Sequence, residues 1–462
     1  MDKNEGTVTK RLDRYVSRRQ GRHVPLLRVA LCALYAAVVV LPLLIAGRFG
    51  WLFSGNIWGN IGRSLGLAGY AALALQVVLT ARLKWVSMHF GLDRAIRFHR
   101  TAGMVSAALI LSHPVLLAAG SGRWALLYGL DWPWAVLAGK AALVVLLVHG
   151  AIALWRRAMN IEFQRWLFLH RLGAPLVLAA GLVHSWFIGS DLRVPGMRIL
   201  WLALGAVAGG LFLNQIALRL WRLKRQAYRV RKVSAETRGV YTLELVPPEG
   251  HDRFDFAPGQ FHFLRFVEGR DQPVEEHPFT IAGSPASEGV LVSSIKRSGD
   301  FTSLIDRTRQ GDRIAVHGAF GRFSLLLHPE ETTVTFIAGG IGITPIMSML
   351  RYMRDTGMDI NAALLYANKT REDIAFADEL RGMSSGEHPV VKLTHFLEEP
   401  PAGWEGQQGR ITADHAGRFG AQPFAKSAFY ICGPPPMMQG LLKGLKQKGI
   451  SSRKIHYELF SF

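Results

Sequence analysis

Cysteine is nearly absent from this chain, with only Cys32 and Cys432 in 462 residues. That excludes a disulfide framework, and Cys32, inside an apolar run, reads as packing. Acidic residues are also scarce, 34 Asp and Glu against 54 Lys and Arg, for a formal net charge of +20. The sequence has no low-complexity segment, no calcium-binding loop and no recognisable docking domain, so it shows no regulation. The basic excess does not point to nucleic acid, because of where it lies. It concentrates at the N-terminus (Lys10, Arg11, Arg14, Arg18, Arg19, Arg22) and in the stretches 82–100, 156–171 and 222–232. The segments near 48–60, 120–133 and 189–195 are short and poorer in charge.

Apolar length, by contrast, is plentiful in the first half. Six runs, at 25–47, 64–80, 101–119, 134–154, 167–188 and 196–221, are each near the ~20 residues that a spanning helix needs. The first is too long for a signal-peptide core and reads as an uncleaved membrane helix. An even number of spans puts all four basic stretches on one side, which the positive-inside rule makes cytoplasmic. The chain is therefore expected to be an integral membrane protein of a bacterial inner membrane, with both termini cytoplasmic. Its basic loops would meet anionic lipid headgroups.

Two histidine pairs with one spacing, His99/His113 and His170/His184, lie in spans three and five. Fourteen helical residues advance about 21 Å and leave two side chains about 40° apart around the axis. Each span then offers two imidazoles on one face, about two-thirds of the hydrocarbon thickness apart. Spans three and five run in the same direction, so His99 pairs with His170 near the cytoplasm and His113 with His184 further out. Two His–His clamps, one above the other, can hold two haems as axial ligands. Intramembrane ionisable groups are costly and are mostly there for function. Arg100 and Arg171, directly after the inner histidines, are placed to meet haem propionates. His89 and His149 read as hydrogen-bonded polar residues.

From about residue 222 the pattern changes to short alternating strands, at 228–233, 240–246, 260–266, 290–295 and 313–317, which read as an antiparallel barrel. Within it, His277-Pro278-Phe279-Thr280 makes a stiff strand ending in a hydroxyl, suited to a flat flavin ring. Lys296, Gly299 and Thr302 combine a cation, a glycine and a hydroxyl at an expected helix start, which suits a pyrophosphate. Next, a β-branched run at 332–338 breaks into Gly339-Gly340-Ile341-Gly342-Ile343-Thr344-Pro345, then a helix at 346–353. Strand, glycine turn and helix N-terminus form a phosphate cradle. The alternation continues with a strand at 362–366, a helix at 373–381, strands at 390–395 and 428–432, and Cys432-Gly433-Pro434-Pro435-Pro436-Met437. This is a doubly wound, dinucleotide-binding arrangement. Lys369 and Arg371 follow the strand at 362–366, where an adenosine ribose or its 2′-phosphate would lie.

Taken together these motifs resemble the ferric reductase and NADPH oxidase superfamily over residues 25–462. The paired histidine spans are similar to its transmembrane domain, and His277–Thr280 to its FAD motif. The glycine loop and the Cys432 turn are similar to its pyridine-nucleotide motifs. The ending His456-Tyr457-Glu458-Leu459-Phe460 resembles the family's Tyr-Glu-x-Phe terminus. The resemblance implies that Phe460, with Phe462 second, stacks on the flavin, and that Glu458, Cys432 and Thr280 border the hydride path. It also implies a role near the acceptor for Arg63, while Leu117 stands where oxidases carry a histidine. The expected fold is multi-domain. A basic N-terminus (1–24) leads into a six-helix di-haem bundle (25–221), an antiparallel FAD-binding barrel (222–328) and an α/β NAD(P)H-binding domain (329–462). The expected cofactors are FAD, two b-type haems and NADPH or NADH. Oxygen, giving superoxide, is the first acceptor, with ferric chelates second. A haem-free anchored reductase, or a donor to a periplasmic redox partner, are the rival readings.

Overall fold

The computed structural model describes residues 15, 17, 24–48, 56–267, 275–287, 289–386 and 389–458. The basic N-terminal cluster and the terminal Phe460 and Phe462 lie outside the described residues. The chain divides into two compact units, one spanning His23–Arg219 and the other taking Leu220 onward.

The first unit is helical. Among the described residues, six helices are long and apolar enough to cross a membrane, namely α1 (Val24–Arg48), α2 (Ile57–Thr80), α3 (Leu92–Ser121), α4 (Trp134–Trp155), α5 (Phe163–Ile188) and α6 (from Pro195, continuing through a π-turn to Arg225, past the boundary of the unit). Two of them start earlier than hydropathy indicates. Asn56 caps α2, its side chain accepting from Trp58 N–H at 2.8 Å, and α3 starts after Gly91, whose φ of +84° suits glycine. The extra two and a half turns of α3 carry Asp93, Arg94, Arg97 and Arg100, so an apolar window misses them. His99 and His170 consequently each sit seven residues after the first residue of their helices. Close approach of α2 to α3 depends on glycine. A Cβ on Gly62, Gly66 or Gly69 would come within 3.1, 2.7 and 2.8 Å of α3 atoms. Small residues at helix contacts are the usual device where no hydrophobic effect drives association.

The second unit holds two six-stranded sheets. The antiparallel one is built from β1 (Tyr228–Thr237), β2 (Val240–Val246), β3 (Phe261–Phe266), β4 (His277–Thr280), β5 (Leu291–Lys296) and β6 (Arg313–Phe320), in the order β4-β3-β6-β1-β2-β5. Its two edges approach just beyond β4, where Ala282 N–H donates to Val292 O at 2.7 Å. The parallel sheet contains β7 (Thr333–Gly339), β8 (Asn361–Asn368), β9 (Val391–Leu397), β10 (Gln407–Gln408), β11 (Ala428–Cys432) and β12 (Ile455–Tyr457), ordered β10-β9-β8-β7-β11-β12. Alternation along β7 sends Val334, Phe336 and Ala338 into one core and Ile337 into the other, so both faces are covered. Helix α7 (Ile343–Thr356) follows the glycine turn, and α8 (Pro435–Gln447) follows β11. The helix expected at 373–381 instead begins at Ala377. Thr370 and Asp373 form a capping box on a short 3₁₀ turn, and Phe376, at φ +61°, interrupts before the helix starts.

His262 is fully buried on β3, where its Nε2 lies 2.6 Å from Ser293 Oγ, and burial lowers its pKa to about 3. The unfolded chain takes up a proton near pH 6.5 that the folded chain refuses until about pH 3, so this group's stability contribution is lost as pH falls through that window. Thermal unfolding between pH 7 and 4.5 should therefore show a shallower pH slope in His262→Gln than in the parent protein. Equal slopes would remove His262 as the cause.

Candidate electron-transfer site

All four paired histidines fall on α3 and α5, and the structure supports the outer two in one matched way. His113 Nδ1 lies 2.8 Å from Gly62 O on α2, and His184 Nδ1 lies 2.8 Å from Ala135 O on α4. One turn on from each carbonyl is a glycine that leaves space for the ring. A Cβ on Gly66 would sit 2.7 Å from His113 Nδ1, and one on Gly139 2.5 Å from His184 Nδ1. A carbonyl acceptor holds the proton on Nδ1 and leaves Nε2 as the ligand nitrogen, the arrangement common behind metal-bound imidazoles. His184 also lies within electrostatic reach of His113.

The inner pair is held differently. His99 and His170 have ring centroids 6.0 Å apart with planes at 86°. With metal–nitrogen bonds of about 2 Å and about 1.1 Å from nitrogen to ring centre, two axial imidazoles stand about 6 Å apart. The Nδ1 atoms of both are buried and make no hydrogen bond of ordinary geometry, although His99 faces the Gln76 backbone. Aromatic packing positions His170 instead: Trp166 lies 5.2 Å from it and His149 stacks on it at 4.4 Å. The sequence reading gave His149 no part in the site. Gly173, one turn beyond His170, makes the room, since a Cβ there would meet His149 Nδ1 at 2.8 Å. Gly66, Gly139 and Gly173 were also missed, because the carbonyls and rings they make room for are named only by the fold. Arg100 and Arg171 are exposed beside the inner histidines. Arg63 is half-buried, and its guanidinium donates to Asn60 Oδ1 at 2.5 Å.

In the second unit the two motifs of the parallel sheet come together through strand pairing. β7 and β11 pair in parallel with Ala338 opposite Cys432, so both strands end at the same level. Gly342 then packs against the Cys432 turn, where a Cβ would lie 2.3 Å from Cys432 O and 2.8 Å from Gly433 N. A Cβ on Gly339 would strike Pro434 and Met437. Gly340 takes φ +53°, and Thr344 donates its hydroxyl to Ile341 O at 3.0 Å, securing the first turn of α7 ahead of the buried Pro345. Cys432 is buried, and desolvation, with the Glu458 charge beside it, pushes its thiol well up. It is therefore a neutral thiol, with no nucleophilic character. Glu458 is buried beside Gly321, where a Cβ would come 2.7 Å from Glu458 Oε1.

On the antiparallel sheet, Thr280 is buried opposite Phe261, with Pro278 opposite Phe263 and Phe279 opposite His262. His277 stacks on Phe301 at 4.1 Å and pairs with Glu275 at 2.8 Å. Lys296 and Gly299 are exposed. The expected helix at 299 is only four residues long. Thr302 uses its hydroxyl locally, accepting from Ser298 N–H at 2.7 Å and donating to Ser298 O. Lys369 pairs with Glu399 at 3.2 Å, while Arg371 is exposed on the next turn.

Three family models match the chain. They are a "Ferric reductase like transmembrane component" over residues 65–181, an "FAD-binding domain" over 227–318 and an "Oxidoreductase NAD-binding domain" over 336–443. Among curated relatives, the reductase component of propane 2-monooxygenase from Rhodococcus jostii is 29% identical over 240 residues, 50% of this chain and 63% of the relative. The glycine betaine monooxygenase reductase subunit of Pseudomonas aeruginosa is 30% identical over 256 residues, 54% of this chain and 68% of the relative. The chain thus spans about two thirds or slightly less of these relatives. Among solved structures, the cytochrome b5 reductase domain of Ulva prolifera nitrate reductase is 21% identical, with a TM-score of 0.45, covering 50% of this chain and 96% of that one.

Gly342→Ala places a methyl group against the Cys432 carbonyl and should part the ends of β7 and β11. The Michaelis constant for NAD(P)H should rise at least tenfold while FAD content per chain is unchanged. An unaltered constant would show that the Gly342–Cys432 contact does not shape the nucleotide site.

Proposed function

The chain belongs to the ferric reductase and NADPH oxidase-like superfamily with fused FAD- and NAD-binding domains, and on that premise we propose that it carries electrons from cytoplasmic NAD(P)H across the membrane to oxygen, which leaves as superoxide. It is an integral membrane NAD(P)H oxidoreductase. The observation that carries the reading is the matched support of His113 and His184, each with Nδ1 on a neighbouring helix carbonyl and a glycine one turn on. The donor set fits two b-type haems, His99 and His170 holding the inner one and His113 and His184 the outer. When bound, FAD would accept a hydride and give up electrons singly, and bis-histidine irons would pass them on without an open coordination position.

The chain's own residues supply position and surroundings. Arg100 and Arg171 offer cations beside the inner pair for propionates. The 339–345 turn presents backbone N–H groups at the start of α7, where a pyrophosphate is favoured. The neutral Cys432 and the buried Glu458 border the nicotinamide position, and Glu458 can hold a proton there. His277, Pro278, Phe279 and Thr280 form the wall for the flavin, with Lys296, Gly299 and Thr302 toward its phosphates. Arg371 is the cation assigned to an NADPH 2′-phosphate, because the charge of Lys369 is offset by Glu399. We further place the protein in a bacterial inner membrane with both termini cytoplasmic, as the basic loops require. A second reading, ferric-chelate reduction, is favoured by Leu117, an apolar side chain one turn beyond His113.

The ligand assignment is tested by pyridine haemochrome content. His113→Ala, His184→Ala and Gly66→Ala should each hold about half the haem of the parent protein, and two haems per chain in the histidine variants would show the assignment to be wrong. The acceptor is tested with pure protein, comparing superoxide dismutase-sensitive cytochrome c reduction with ferric citrate reduction. The oxygen-dependent rate should be the larger, and the reverse ranking would make ferric reduction the function.

A further inference from the structure

Between the antiparallel and parallel sheets, a tight turn brings two ligand-type side chains together, with Glu331 N–H donating to His328 O at 3.0 Å. A third arrives from the last strand, because β12 pairs with β11 in a register that sets His456 opposite Tyr430. His456 Nε2 lies 2.7 Å from Glu331 Oε1. The His328 and His456 rings stack with centroids 4.0 Å apart. One ligand atom from each of His328, Glu331 and His456 lies within 4.8 Å of the other two. Behind them the buried Tyr430 donates its hydroxyl to Glu331 Oε2 at 2.7 Å and fixes the carboxylate.

We propose that His328, Glu331 and His456 bind a transition-metal dication of the Zn²⁺ class. Two imidazoles and one carboxylate are a set that such ions take, with water in the fourth position. Metal–ligand bonds of about 2 Å in a tetrahedral centre put ligand atoms about 3.3 Å apart. The 2.7 Å pair has to open slightly and the longer separation to close, both within reach of side-chain rotation. A His456–Glu331 hydrogen bond alone leaves His328 unexplained. Its ring lies flat against another imidazole, with its Nδ1 3.8 Å from Glu330. Each imidazole ligates in its neutral form. Tyr430 completes the arrangement as the outer partner that a ligating carboxylate ordinarily has. His328 is the most open of the three, its side chain 32% exposed against 14% for His456 and 10% for Glu331, and gives the ion its way in.

The place gives the site a consequence. Glu458, the acid beside Cys432, lies two residues beyond His456 and on the same side of the chain. A bound ion would tie the strand leading to Glu458 to the 328–331 turn, limiting how far that strand can move. This inference does not depend on the acceptor or on haem.

The test uses the full-length protein, purified with its cofactors, and Zn²⁺ as the probe. His328→Gln removes one ligand while leaving the Glu331–His456 and Tyr430–Glu331 bonds in place, so the variant should fold; His456→Gln is the second. By isothermal titration the parent protein should bind one zinc ion per chain more than either variant. A large excess of Mg²⁺ should not displace it. Zn²⁺ should also raise the unfolding temperature of the second unit in the parent more than in the variants. Equal zinc stoichiometry and equal thermal shifts in all three proteins would overturn the proposal and leave the cluster as a hydrogen-bond network.

Discussion

An imidazole inside an apolar helix bundle is best oriented when its second nitrogen has a partner, and that constraint organises the outer level of the membrane unit. With no water at depth, a polar atom left without a partner costs several kcal/mol. The outer histidines meet the demand by donating to carbonyls that their neighbours' helices already use, at Gly62 and Ala135. That in turn requires the helices to stand close enough for a ring to reach a backbone, which only glycine at 66 and 139 permits. Imidazole, carbonyl and glycine are therefore one device, repeated on the α2–α3 and α4–α5 pairs. Of the inner histidines, His170 is set by stacking, with His149 and Trp166 about it, and His99 faces the Gln76 backbone. The outer level is fixed by directional bonds, whereas the inner depends on packing, which holds a ring's plane less tightly than its position.

The second unit solves a different problem, bringing residues almost a hundred positions apart to one sheet edge. Parallel pairing of β7 with β11 does so, because strands that start level also end level, and the chain must turn off at both ends. The glycine turn and the Cys432 turn are then forced into contact, and Gly342 has no side chain because Cys432 O occupies the space. The same register logic carries β12 alongside β11, which delivers Glu458 to Cys432 at one end and His456 to Tyr430 further back. The proposed nicotinamide site and the proposed metal cluster thus meet at β12 and the residue that follows it.

Much of this was legible in the sequence because its signals are periodic or compositional. Six apolar runs, two equal histidine spacings and a strand–glycine–helix pattern each follow from local chemistry. The starts of α2 and α3 were not legible, since their first turns are polar and are fixed by the Asn56 cap and Gly91. Nor was the start of the helix at Ala377, which depends on the backbone of Phe376. His149 was invisible for a deeper reason. A lone histidine in a span has no sequence partner, and only the folded crossing of α4 and α5 lays it on His170. The His328–Glu331–His456 cluster is equally non-local, with 125 positions between its carboxylate and its second imidazole.

Arg63 shows how a local argument changes once the fold is known. An arginine near the outer end of α2, away from the basic loops, calls for an anionic partner, an outer haem propionate or the electron acceptor, unless it snorkels to the interface. The folded chain supplies Asn60 at 2.5 Å and the charge of Asp191, a buried carboxyl in the segment between α5 and α6. Burial pushes the Asp191 carboxyl up, and Arg63 pulls it back down, so the two are coupled. To the extent that Asp191 is ionised, Arg63 presents little net charge outward and cannot by itself hold an anionic product. The field at the outer end of α2 is therefore the sum of both groups, and neither can be read alone.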